Sequence, residues 1–128
     1  MYEIKNFPAK RVLLLTMSGT VTIADLTAMT MKMGQACATY RGGKFAMIAD
    51  MRGLLPLAPE AAEAFKQGIV MGRQNGVAVC AHLSSSGIIR LQANRLSREA
   101  SVGDANVIDV VSIEEAWRVA TERQAELI

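Results

Sequence analysis

Phe45-Ala46-Met47-Ile48-Ala49-Asp50 decides the fold: five apolar residues in succession, closed by one acid. No polar residue alternates with them, which is the pattern of a strand covered on both faces. Gly76 to Leu83 (G-V-A-V-C-A-H-L) reads the same way, and so does Arg11 to Ser18 (R-V-L-L-L-T-M-S), bounded by Gly19. Tyr2 to Lys5 forms a shorter strand ahead of the turn at Pro8, and Val107 to Val111 forms a last one.

The segments between these runs carry helical signals. Thr22 is an N-cap with Asp25 three positions later, where an acid favours the helix start. Ile23, Leu26, Thr30, Met33, Cys37 and Tyr40 then recur at spacings of three and four, an amphipathic stripe that Arg41-Gly42-Gly43 ends. A Pro-punctuated connection, Leu54 to Pro59, leads into a helix from Pro59 to Arg73, since Pro suits the first helical position. Ser84 to Gly87 turns into a helix over 87–100 that carries Ile88, Leu91 and Leu96. Ser112 and Glu115 make a capping box before a final helix holding Ile113, Ala116, Trp117 and Ala120. The order β-β-α-β-α-β-α-β-α predicts one α/β domain over residues 1–128. Its five-stranded sheet is mostly parallel and is flanked by four helices through right-handed crossovers.

Composition agrees with one compact unit. Apolar residues make up 51% of 128 residues and charged ones 20%, enough for a core and far from a disordered chain. Aromatics supply only 5%, so eight Met residues share the filling with Leu, Ile, Val and Ala. The net charge of +2 is slight, and the basic residues are scattered without aromatic interleaving, so no nucleic-acid surface is expected. No apolar stretch approaches the roughly 20 residues of a membrane span. Met1-Tyr2-Glu3-Ile4 lacks the features of a signal peptide, and two separated cysteines, Cys37 and Cys80, read as reduced thiols. A cytoplasmic location is the expectation.

Three segments carry a likeness to a known family. Leu14-Leu15-Thr16-Met17-Ser18-Gly19-Thr20-Val21-Thr22 resembles the second strand and Gly-led turn of the STAS domain, the fold of anti-sigma-factor antagonists. Phe45-Ala46-Met47-Ile48-Ala49-Asp50 resembles its central strand, and Val110-Val111-Ser112-Ile113-Glu114-Glu115-Ala116 is similar to its last strand and last helix start. The resemblance spans nearly the whole chain and extends to a SpoIIAA-like branch grouped with Sec14-type lipid carriers. It implies a regulatory protein-interaction module. In regulatory members the Asp is followed by Ser-Ser-Gly, with a Ser that accepts phosphate. Here Met51-Arg52-Gly53 follows Asp50, and no hydroxyl is present for that switch.

Three functions follow as expectations. A docking module would use Asp50, Met51, Arg52 and Gly53 with the adjoining strip Ala64, Gly68 and Met71, for a protein partner or a second copy. Gly68 and Gly72 each cost about 1 kcal/mol inside a helix, so close backbone packing or a contact surface should offset them. A small-molecule or lipid carrier would line an apolar pocket with Met29, Met33, Met47 and Phe65, and with His82 and Ser84 at its edge. A hydrolase would combine His82, Asp50 and one of Ser84, Ser85 or Ser86 at the C-terminal strand ends, where ligands bind in open α/β sheets. No G-x-S-x-G elbow supports the last, and Ser84 to Gly87 also reads as a turn and cap. One His and two separated Cys are too few for zinc, and no cofactor is expected. Arg90, Asn94 and Arg98 read as a solvated stripe, or as a contact for an acidic partner.

Overall fold

The computed structural model describes residues 1–41, 43–100 and 106–127. Its elements run β1 (Tyr2–Phe7), β2 (Val12–Met17), α1 (Ile23–Cys37), β3 (Phe45–Asp50), α2 (Pro59–Gln74), β4 (Val77–Leu83), α3 (Gly87–Ala100), β5 (Asn106–Val110) and α4 (Ile113–Leu127). Short 3-10 turns follow β1 and α1. Gly42, part of the expected stop after the first helix, lies outside the described residues; Arg41 beside it adopts the left-handed conformation, φ 49°.

Local chemistry places the helix starts. The Thr22 hydroxyl accepts from the Asp25 N–H at 3.2 Å, and the Asp25 carboxylate accepts from the Thr22 N–H at 3.0 Å. At α4 the Ser112 hydroxyl accepts from the Glu115 N–H, while the Glu115 carboxylate reaches back to the Val111 N–H. The Thr22–Asp25 pair satisfies two backbone donors that a helix start leaves without internal partners; at α4 only the Glu115 N–H is such a donor, and the carboxylate anchors the residue before the cap.

The strands lie in the order β1-β2-β3-β4-β5, with β1 antiparallel to β2 and all other neighbours parallel. Every parallel crossover steps the same way, so right-handed connections send α1, α2 and α3 to one face. The chain then turns back and lays α4 on the other. Two cores result. Leu13, Leu15, Met17, Phe45, Met47, Ala49 and Cys80 pack under α1, α2 and α3, while Val12, Ala46, Ile48, Val79, Ala81, Leu83 and Val110 pack under α4. Both faces of β3 are buried along its whole length, as the unbroken apolar run requires. Because the parallel strand order never reverses, the sheet has no switch-point crevice of the kind that usually holds ligands in open α/β folds. The expectation of a site at the strand ends loses that support.

Trp117 sits at the rim of the second core. Its ring meets Phe7 edge-on at 4.9 Å, with the Lys10 ammonium 5.1 Å from its centre.

Candidate functional site

Asp50 ends β3 with its carboxylate turned toward the α4 face. Arg52 closes on it with two side-chain hydrogen bonds, Nε to Oδ1 at 3.0 Å and Nη2 to Oδ2 at 2.8 Å, and its backbone N–H adds a third. Burial pushes the Asp50 carboxyl upward, and the Arg52 hydrogen bonds more than reverse this, holding it below its ordinary value. The acid is therefore paired inside its own loop. Gly19 and Gly53, both at positive φ, bring the turn after β2 against this loop: the Gly19 N–H donates to the Gly53 carbonyl and the Leu55 N–H to the Gly19 carbonyl. Met51 is 1% exposed. It continues the alternation of Phe45, Met47 and Ala49 into the first core, so its place in the expected contact surface is corrected. Arg52 and Gly53 remain exposed.

The second half of that expected surface also changes. Gly68 is buried, and a Cβ there would stand 3.2 Å from Thr30 Oγ1 of α1. Gly72, one turn later, faces Met33 and Val77. The two glycines are the seat of α1 on α2, which accounts for their cost in helix propensity. Ala64 and Met71 are half-buried against the same core. Gly68 is corrected from contact strip to interior.

Met29, Met33, Met47 and Phe65, expected to line a pocket, fill the space themselves within one buried cluster. Beside Phe65, enclosed by Met51, Leu54, Leu57, Ile89, Gln92, Ala93 and Leu96, lies a void of about 10 Å³. That is scarcely room for one water molecule.

His82 and Asp50 do end adjacent strands, but on opposite faces. The register pairs Ala49 with His82 and Asp50 with Leu83, so neighbouring side chains share a face and the two titratable groups do not. The expected triad with Ser84, Ser85 or Ser86 does not assemble. Ser84 and Ser86 are half-buried, Ser85 is exposed, and the Ser86 carbonyl accepts the Arg90 N–H that closes the first turn of α3.

His82 instead joins a polar group that the sequence reading missed. It is 5% exposed and paired in register with Asp109, whose carboxylate accepts from Asn94 Nδ2 at 2.9 Å. His82 Nδ1, Asn94 Oδ1 and Arg73 Nε are buried and make no hydrogen bond. Burial drives the imidazole below its ordinary pKa; Asp109 and Asn94 oppose the shift and Arg73 adds to it. The one signal in the sequence was Asp109 itself, an acid inside the apolar run Val107 to Val110. Among the described residues no three His, Cys, Asp or Glu side chains gather to hold a metal ion. None of the described helices is long and apolar enough to cross a membrane.

Open apolar surface lies on α3 and the loop before α2. Ile89, Ala93, Leu96 and Ser97 face inward. Ile88 and Leu91 point away, 67% and 71% exposed, and Leu55 in the loop is 54% exposed. At about 100° per residue, Ile88, Leu91, Arg95 and Arg98 form one stripe opposite the buried one. Gln92 clamps the loop beside it, its amide donating to the Leu57 carbonyl at 3.1 Å and accepting from the Leu57 N–H at 3.0 Å. The result is a shallow groove of about 450 Å³ lined by Pro56, Ile88, Leu91, Gln92, Arg95 and Arg98. Among the described residues, neither Arg95 nor Arg98 makes an ion pair. This is the surface that reading Ile88 and Leu91 simply as apolar members of the helix left unrecognised.

No protein-family model matches this chain, and no curated protein matches it either.

Proposed function

We propose that this chain is a non-enzymatic, STAS-like protein-interaction module that docks a partner across the groove that α3 forms with Pro56. The observation that carries the reading is the outward pair Ile88 and Leu91, which line one groove with Pro56. A helix that already has a full inward stripe gains nothing in its own fold from two large apolar side chains held in water. Grouped exposed apolar surface of this kind marks contact sites. The loop contributes as the sequence resemblance implies, but through Pro56 rather than Met51. Docking is constitutive with respect to the family's phosphoacceptor position, because Met51 and Arg52 have no hydroxyl and Arg52 is engaged by Asp50.

The alternative of an apolar carrier loses its motive, since the methionines offered as pocket lining are packed against one another and the sheet. Native mass spectrometry of the protein recovered from its own cells separates the readings. A second protein in the recovered complex supports docking; an added mass of a few hundred daltons supports a carrier and contradicts docking.

A further inference from the structure

We infer that the occupant of this groove is an acidic amphipathic helix presented by another protein. The inference rests on the docking function proposed above and adds the chemistry of the partner.

Shape and charge select the occupant. The groove runs along α3 from Ile88 to Arg98, about 15 Å at 1.5 Å per residue. An occupant helix of roughly three turns spans it. Its floor is apolar at the Ile88 end, where Pro56 and Leu91 join in, and cationic at the other, where Arg95 and Arg98 have no ion-pair partner among the described residues. The helix as a whole carries Arg90, Arg95 and Arg98 against the single acid Glu99. A complementary segment places apolar side chains at i and i+3 or i+4 over Ile88 and Leu91, and carboxylates one to two turns away over the arginines.

Other occupants fit less well. An added strand needs free backbone donors and acceptors, and the wall formed by α3 has its own bonded internally. A polyproline segment docks on aromatic rings, and none lines this groove. A second copy meeting this face through a two-fold axis would bring two pairs of arginines into one contact with no carboxylate among the groove-lining residues to match them, so like charges would oppose it.

The test is a photoreactive phenylalanine analogue placed at Leu91, and separately at Ile88, in the full chain expressed in its native cells. The cross-linked peptide is then sequenced. The expected product joins the probe to a segment of one other protein with net negative charge and apolar residues at helical spacing. Adding Arg95→Glu and Arg98→Glu, with circular dichroism unchanged, should lower its yield about tenfold, the size expected from reversing two exposed charges. A basic or uncharged protein segment, a phospholipid or a second copy of the chain as the cross-linked species would overturn the acidic-helix assignment. Among these, only a protein product leaves the docking function standing. Absence of any adduct at both probe sites overturns the docking function, and the inference with it.

Discussion

Replacing Gly72 by Ala should stabilise this protein, although the residue is buried at a helix–helix contact. Gly costs about 1 kcal/mol relative to Ala in a helix interior, because it loses more backbone freedom on folding. Against that gain stands the space a methyl group would occupy. A Cβ at position 72 meets Val77 Cγ2 at 3.4 Å and Met33 Cε at 3.9 Å, ordinary contacts that require no movement. The propensity term therefore survives. With an unfolding entropy of roughly 0.27 kcal/mol/K for a chain of this length, about 1 kcal/mol raises Tm by about 4 °C. Gly68 differs. Its Cβ would lie 3.2 Å from Thr30 Oγ1, so α1 has to yield slightly and Gly68→Ala should fall within about 0.5 kcal/mol of the parent. Gly68→Leu cannot be accommodated and should cost about 2–3 kcal/mol through overpacking, lowering Tm by roughly 10 °C. Thermal unfolding followed by circular dichroism reads all three. A Tm that falls in Gly72→Ala, or that is unchanged in Gly68→Leu, would refute the placement of α1 on these glycines.

Three further outcomes follow from the titrating groups. Arg52→Ala should destabilise at pH 7 and progressively less toward pH 3. The folded Asp50 carboxyl lies below its unfolded value only because Arg52 holds it there, so its contribution exists above that value and fades in acid; a pH-independent urea midpoint difference would contradict this. His82 is the chain's one histidine, and its folded pKa is depressed chiefly by burial. The unfolded chain thus binds the extra proton first, and stability falls as pH drops below about 6.5, a slope that His82→Gln should remove. Equal urea midpoints for the parent at pH 7.5 and 5.5 would count against a buried neutral imidazole. Burial pushes the Cys80 thiol up to about 12 and raises Cys37 as well. Neither should react with a thiol reagent at pH 8 until the protein is unfolded, and rapid native labelling of Cys80 would disprove its enclosure.

The contrast between fold and site has a physical cause. Phe45 to Asp50 and Val77 to Leu83 identified themselves as inner strands because a doubly covered strand needs apolar residues at every position, a demand visible without knowing any neighbour. The Thr22–Asp25 and Ser112–Glu115 pairs were equally local, set by a three-residue spacing. Met51 was misplaced on the surface although the signal was there, since 45, 47, 49 and 51 continue one period of two past the acid. Other features depended on register and strand order. That His82 and Asp50 oppose each other across the sheet follows from Ala49 pairing with His82, which no single segment encodes. The grouping of three helices on one face follows from every parallel crossover stepping in one direction. In α3, Ile88 and Leu91 compete with Ile89, Ala93 and Leu96 as the apolar stripe, and only the docking of the helix on α2 decides which pair is left in water.

The outward stripe of α3 as the working surface is tested most directly by paired surface variants recovered from native cells at equal expression. Ile88→Asp with Leu91→Asp should lose the partner while keeping the parent Tm. Ile23→Asp with Met31→Asp, which alters exposed apolar residues of α1 instead, should keep it. Retention of the partner by the α3 pair, or its loss from the α1 pair alone, would contradict the account.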